Sequence, residues 1–433
     1  MADGQRTPQP LETPVRIANL AFVGLGGVLV LVCLLLFGQT IGFGFVRADD
    51  ADLITGNQAF LSELSNAPRV FLRSYFEVDG ELSNLETYYR PLVVLSFMVD
   101  AQFDGGGQAA YHATNIILHA IVVVLLFGLA LRLGAGRYAA FGAALLFAVH
   151  PLTVQTVSWI VGRNDSLLAI FALLSLIGLD AAVRDKRAWG FWLHLVTFAL
   201  ALFTKETGIV LLPAYGLIVW LWYDRVGFYR EVRWLPWSYF GAAGVWMAVR
   251  HFALAGGEVS ATPGESLMTF ARNFPQLLAY FGKAVFPVSL NVMPSVDPRA
   301  LGLGVVAVGV LGVTLRRLPT RQMAVVLSWF VLFLLPPLVV PNLPAYEHRT
   351  YVPLLGLAIG LSQLPSLAGN QWRWTGSRYV LVALTIVFGV LTLRHVPTFH
   401  DPLTFWVGAT RNTAYAPIAH VNVGRILEEL DQP

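Results

Sequence analysis

The chain has 433 residues, of which 56% are hydrophobic and 13% charged. An average soluble domain carries about 25% charged residues, so this composition excludes a water-exposed globular surface and points to the membrane. The net charge of +3 is small and its basic residues stand in short clusters between apolar runs, a distribution that sets orientation in a bilayer and argues against nucleic acid as a partner. The single cysteine, Cys33, rules out a disulfide framework or a cysteine metal site.

Residues 1–16 are polar and proline-rich and read as a cytoplasmic tail. The first apolar run, 17–45, is too long for a signal peptide and lacks a small-residue cleavage site, so it reads as a retained helix. A polar stretch over 47–111 follows, long enough to carry function rather than merely connect spans. Further spans are expected at 112–131, 138–150, 165–183, 188–203, 207–223, 235–254, 300–315, 322–340, 350–364 and 378–394. A second long loop, 255–299, holds apolar residues at helical spacing over 267–286, the pattern of an interfacial amphipathic helix. Residues 395–433 are mildly polar and read as a soluble tail. The expected fold class is therefore all-α, an integral membrane bundle of about eleven transmembrane helices within 17–394.

Alternating the loops gives the orientation. One set holds Arg132 and Arg137, then Arg184, Lys186 and Arg187, then Arg225, Arg230 and Arg233, then Arg316, Arg317 and Arg321, then Arg373 and Arg378. Short basic loops stay in the cytoplasm. The other set is acid-rich, with Asp49, Asp50, Asp52, Asp165, Glu206, Glu258, Glu265 and Glu347. Both long loops and the C-terminal tail are then extracytoplasmic.

The polar residues with chemical potential fall in that second set. Asp49 and Asp50 adjoin Arg47 at the end of the first span. Neighbouring carboxylates there can accept a proton from a hydroxyl or hold a divalent cation, and the plainer alternative is a solvated acidic loop. Arg90 precedes Pro91, which suits the first turn of a helix, and Arg90 can face an anion or simply snorkel. His112, Asn115 and His119 share one helical face, which also fits hydrogen bonding between helices. The spacing of the two histidines does not suit a metal ion gripped from one face.

His150-Pro151 ends a span. Gln155 and Gly162-Arg163-Asn164-Asp165 follow, placing Arg163 and Asp165 as a charge pair at the membrane boundary or as a buried structural pair. Lys205-Glu206 sits between two closely joined spans, and Glu347-His348-Arg349 with Tyr351 and Pro353 opens a later one. Four such groups at one level describe a cavity in which Arg and Lys grip a lipid-borne phosphate while Asp deprotonates a hydroxyl.

The ordered set resembles the membrane part of the transmembrane and tetratricopeptide-repeat O-mannosyltransferases and their bacterial relatives, within the GT-C glycosyltransferase superfamily. The residues that carry it are Phe45 to Asp50 with Ile54 and Asn57, Tyr89-Arg90-Pro91-Leu92, His112/Asn115/His119, and His150-Pro151 through Gly162-Arg163 and Asp165. Lys205-Glu206-Thr207-Gly208 and Glu347/Arg349/Tyr351/Pro353 complete the series.

The resemblance implies a GT-C type bundle with a long, catalytic first extracytoplasmic loop. It also implies a polyprenyl-phosphate-linked sugar donor and an extracytoplasmic protein, glycan or lipid acceptor, with membrane lipids as surroundings. It assigns the catalytic base to the pair Asp49 and Asp50, with Asp50 slightly favoured. Arg90, Arg163, Lys205 and Arg349 become candidates for the donor phosphate. His112, His150, Asp165, Glu206, Glu347 and Tyr351 become cavity-lining. No metal ligand set is named, and help from a divalent cation stays open. Trp406, Ala409, Pro417, His420, Asn422, Gly424 and Leu427 resemble the lead-in to a first tetratricopeptide repeat.

The expected activity is inverting transfer of a single sugar at the extracytoplasmic side of a membrane, the bacterial inner membrane by composition. The alternative is a transporter or flippase of a lipid-linked sugar. Transporters show internal repeats and mid-membrane polar sites, whereas the charges here gather at one face. A membrane scaffold is a third reading, but it gives those charges no role.

Overall fold

The computed structural model describes residues 14–78, 81–82, 88–223, 232–254, 262–293, 298–341, 346–367, 375–411 and 417–431. The cytoplasmic reading of residues 1–13 and the basic residues Arg225, Arg230 and Arg373 lie outside them. In a bilayer each backbone polar group must find its partner inside the protein, and every apolar run identified above carries helix. In chain order these are α1 (Pro14–Phe37), α2 (Gln58–Ser62), α3 (Pro91–Asp100), α4 (Gln108–Arg132), α5 (Arg137–Ala148), α6 (Val154–Ser158) and α7 (Arg163–Val183). Next come α8 (Ala188–Thr204), α9 (Leu211–Leu217), α10 (Leu235–Ala253), α11 (Pro263–Val285) and α12 (Pro298–Leu315). The last are α13 (Thr320–Val339), α14 (Tyr351–Leu367), α15 (Thr375–His395), α16 (Pro402–Arg411) and α17 (Pro417–Asp431). A two-stranded hairpin, β1 (Glu77–Val78) against β2 (Glu81–Leu82), sits in the first loop.

The chain is an all-α integral membrane protein. Among the described residues six helices are long and apolar enough to cross a membrane, or seven if α5 and the bent segment after it form one span. The expected count of about eleven is not reached on length. A helix rises about 1.5 Å per residue, so the 12 residues of α5 cover about 18 Å of a hydrocarbon core near 30 Å.

The most extensive helix contact joins α7 and α8. A Cβ on Gly178 would stand 2.6 Å from the His194 nitrogen, and one on Gly190 would stand 2.7 Å from the Gly178 carbonyl oxygen. Only glycine allows that approach, as is usual for small residues between membrane helices.

The apolar interior has two parts. One fills the bundle around Phe127, Leu173, Phe198, Phe330 and Leu355. The other lies at the end of the first loop and joins Phe37, Val46, Phe97 and Tyr111 to Phe399, Phe405 and Trp406. The segment 151–162, expected as a polar stretch at the membrane boundary, is instead buried throughout. Pro151 breaks the helix, and the axis bends by 54° into a segment enclosed by the protein. The predicted helix at 267–286 is found as α11, started by a capping box between Thr262 and Glu265. Helices α16 and α17 pack on each other, and Gly44 donates its N–H to the His400 carbonyl at 2.9 Å, which ties the tail to the end of the first span. A helix pair alone does not establish a tetratricopeptide repeat.

Candidate active site

The turn after the first span is built around an unusual backbone. Arg47 has φ of 54°, a left-handed conformation that a non-glycine residue adopts only when something holds it there. Asp50 supplies the hold. Its Oδ2 accepts the Arg47 N–H at 3.2 Å and its Oδ1 accepts the Ala48 N–H at 2.8 Å. Burial pushes the Asp50 carboxyl above the usual carboxylate range, and the backbone donors pull it part of the way back. Both oxygens are thus engaged by the turn itself. Asp49 is half-buried beside it, within electrostatic reach of Tyr75. The two carboxylates have different surroundings: Asp50 is tied into the turn, and Asp49 stands beside it.

Arg90 sits where Pro91 starts α3, as the sequence suggests. Its Nε donates to Glu206 Oε2 at 3.0 Å, while the Tyr89 N–H donates to Glu206 Oε1 at 2.8 Å. The guanidinium lies over the rings of Tyr88, at 4.3 Å, and Tyr75, at 5.2 Å. Cation–π contacts of this kind fix a guanidinium while leaving its edge free to bond. Glu206 acts here as the anchor of Arg90 and of its backbone.

One residue earlier, Lys205 enters a small pocket with Asp165, Thr207, Phe333, Arg349 and Val352. Its Nζ donates to Asp165 Oδ1 at 2.6 Å, with both side chains buried. Lys205 is pushed down to about 8, chiefly by burial; Asp165 opposes the shift, and Arg90 and Arg349 reinforce it. Three cations from three segments therefore share one field. Arg349 forms no ion pair among the described residues, and its buried Nε has no hydrogen-bond partner. Asp165 Oδ2 is also unpartnered. Three of the four phosphate candidates converge.

The fourth does not. Arg163 is fully buried: its Nε donates to Asn115 Oδ1 at 2.9 Å and its Nη2 to the Tyr111 carbonyl at 2.7 Å. Its Nη1 meets Asp100 and Ser96 Oγ, and the Phe97 ring lies 4.7 Å from the guanidinium. Four of its five N–H donors are thus engaged inside the protein. The expected Arg163–Asp165 pair is absent because residues two apart on a helix point in roughly opposite directions: Arg163 faces Asp100, and Asp165 faces Lys205. Asp100 was missed by the sequence reading. Its one signal is a lone acid closing the apolar run of α3.

The remaining lining candidates divide. Glu347 is near the pocket but pairs with Lys283 and accepts the Asn291 N–H at 2.9 Å. Tyr351 is buried in the bundle, where its hydroxyl meets His119 Nδ1 at 2.7 Å. His150 uses Nδ1 to accept the Leu152 N–H at 3.2 Å and approaches the Ala284 carbonyl through Nε2 at 3.1 Å, so it caps the broken helix. It faces an apolar cavity of about 750 Å³ rather than the Lys205 pocket. His112 is buried beside the Phe43 ring, and Asn115 donates to the Val157, Trp159 and Ile160 carbonyls. Asn115 and His119 thus do what interhelical hydrogen bonding predicts. Among the described residues no group of three or more His, Cys, Asp or Glu side chains gathers as a metal site.

Buried polar atoms without a partner recur here: on Asn164 and Asp165 in the first turn of α7, on Arg349 across the pocket from Asp165, and on Trp159 and His348, whose rings lie 5.8 Å apart. Native proteins leave few such atoms, and each calls for an explanation.

Residues 99–249 match the family model described as dolichyl-phosphate-mannose-protein mannosyltransferase. The human protein O-mannosyl-transferase TMTC4 is 33% identical over 209 residues, covering 43% of this chain and 27% of the relative. The Drosophila melanogaster protein O-mannosyl-transferase Tmtc1 is 33% identical over 203 residues, covering 46% of this chain and 23% of the relative. The chain thus spans about a quarter of the length of the curated relatives it matches. Among solved structures, ArnT from Cupriavidus metallidurans bound to undecaprenyl phosphate aligns with a TM-score of 0.44 and 16% identity, over 96% of this chain and 79% of that one. The resemblance to the transmembrane O-mannosyltransferases read from the ordered residues is borne out by the family model and the curated relatives.

Proposed function

We propose that this chain is an inverting GT-C type glycosyltransferase that moves one sugar from a polyprenyl-phosphate donor to an acceptor hydroxyl. The family description and the relatives' names support a mannosyl-type transfer of this class. The carrying observation is the convergence of Lys205, Arg349 and Arg90 on one field, with Arg90 and Asp49 both acting on Tyr75.

In this reading Asp49 takes the proton of the acceptor hydroxyl as its oxygen attacks the anomeric carbon. The bond from that carbon to the phosphate oxygen breaks, and its electron pair leaves with the polyprenyl phosphate. A single displacement inverts the anomeric centre. Arg349 and Lys205 meet the charge that grows on the phosphate, which is where preorganised donors accelerate a reaction most. Asp165 holds Lys205, Glu206 holds Arg90, and Asp50 holds the turn that presents Asp49. Short basic loops on the far side support an extracytoplasmic site, and the reading takes residues 17–394 as the catalytic bundle and 395–433 as a tail.

The test is transfer of labelled sugar from polyprenyl-phosphate mannose to a hydroxyl-bearing peptide, with the chain reconstituted in liposomes. The expected outcome is bond cleavage and transfer, lost in Asp49→Asn with the melting temperature kept. Full transfer in the Asp49→Asn, Asp50→Asn double variant, or lipid movement between leaflets without cleavage, would end the reading.

A further inference from the structure

The first loop carries a buried hydroxyl that the mechanism above does not use. Tyr75 is 3% exposed and its Oη has no hydrogen-bond partner. Its position is not loose. The Tyr75 N–H donates to the Tyr88 carbonyl at 2.8 Å, and the Phe76 ring packs edge-on at 5.1 Å. Arg90 covers the face of the Tyr75 ring.

The charged groups acting on Tyr75 come from four separate segments: Arg90, Asp49, Arg163 and Glu206. Two of them are committed elsewhere, since Arg163 is bonded to Asp100, Asn115 and Tyr111, and Glu206 holds Arg90. The ring therefore stands in one field with the carboxylate assigned to the acceptor and the guanidinium nearest the donor phosphate site.

Leaving a buried hydroxyl without a partner destabilises a fold by the full cost of taking it out of water. Phenylalanine would fill the same space among Arg90, Tyr88 and Phe76 without that cost. The hydroxyl is thus a liability to the fold unless a ligand uses it. Between a proton-accepting carboxylate and a phosphate-gripping cation, the reading of the active site places the sugar itself.

We propose that the Tyr75 hydroxyl, buried and unpartnered beside Arg90 and Asp49, donates a hydrogen bond to an oxygen of the transferred sugar and so selects a hydroxylated pyranose at that position. The proposal rests on the glycosyltransferase reading and deepens it. A polar group built to bond a substrate hydroxyl rejects analogues that lack it far more strongly than an apolar pocket rejects an extra one.

The experiment compares wild type and Tyr75→Phe, both as the full chain in nanodiscs, using polyprenyl-phosphate mannose and its four monodeoxy analogues as donors. The expected result is a ten- to hundred-fold fall in kcat/KM for the parent sugar in Tyr75→Phe, with a melting temperature equal to or above that of wild type. One deoxy donor should be strongly disfavoured by wild type and no longer distinguished by the variant. A kcat/KM within twofold of wild type, a loss of activity together with melting temperature, or unchanged discrimination against all four analogues would each overturn the proposal. If Tyr75→Phe is fully active while Asp49→Asn is dead, the assignment of Tyr75 falls and the glycosyltransferase reading stands. If the Asp49→Asn, Asp50→Asn double variant is active, that reading falls first.

Discussion

The two ends of α7 hold the same kind of residues in opposite conditions. Asp180, near one end, is buried and saturated. It accepts Arg132 Nε at 3.0 Å and Nη2 at 2.8 Å on one oxygen, and the Tyr223 hydroxyl at 2.8 Å on the other. Arg184 reaches the same carboxylate at 3.5 Å and the Arg132 carbonyl at 2.8 Å. Asp165, 15 residues away and so about 22 Å along the axis, holds Lys205 through one oxygen while the other is bare. Arg349 beside it is unpaired among the described residues. A saturated buried network fixes a structure, whereas an unsaturated one keeps bonding capacity for something that arrives later. Charge alone does not distinguish the ends; satisfaction does.

The largest contrast should come from removing one cation at each end. Arg349→Ala should lower transfer about 10²–10³-fold, the usual cost of losing a donor to a developing anion. Its melting temperature should hardly move, because among the described residues no ion-pair partner is left behind. A large drop in melting temperature would make Arg349 a structural residue instead.

Asp180→Asn should do the reverse. Removing one member of a buried charge network typically costs about 3–5 kcal/mol, and the exposure of Arg132 and Arg184 puts this case at or below the low end. Thermal denaturation in detergent should show the loss, while activity per folded molecule stays near wild type. Wild-type stability with lost transfer would invert the roles assigned to the two ends.

Those two ends were not equally legible in the sequence. The positions of the apolar runs, the helix start at Pro91 and the amphipathic helix at 267–286 followed from periodicity and capping residues. The grouping of Arg90, Lys205 and Arg349 followed from their common level in the alternating loops. What could not be read was which partner each charge takes. Arg163 and Asp165 are two residues apart in sequence yet serve different sites, since helical rotation sends one to Asp100 and the other to Lys205. Nor could composition reveal that 151–162 folds inward, because a buried polar segment and a surface loop are written with the same residues. The different surroundings of Asp49 and Asp50 depend on the left-handed backbone at Arg47, which no spacing encodes.

A pH profile is a finer probe of the Asp165 end. Lys205 is held down to about 8, so it is charged below that value and neutral above it. Since kcat/KM reports groups in the free enzyme, it should fall as pH rises through about 8 and the phosphate grip weakens. Lys205→Arg, which stays charged, should remove that alkaline limb; a limb that persists would assign it to another group.

The smallest effect is expected at the tail. Arg47 and Glu429 form an ion pair with side chains 53% and 48% exposed, and exposed pairs contribute about 0–1 kcal/mol. Arg47→Ala should shift the melting temperature slightly and raise the sensitivity of residues 417–431 to proteolysis little. A marked release of the tail would mean that this contact, rather than the apolar packing of Phe405 and Trp406, holds it down.

The most direct measurement is a structure of the full chain in nanodiscs with added polyprenyl phosphate. The phosphate should lie within hydrogen-bond distance of Lys205 Nζ and the Arg349 guanidinium, on the side facing Asp49. A phosphate seated instead beside Arg132 and Arg184, about 22 Å away at the Asp180 end, would contradict the site and the chemistry built on it.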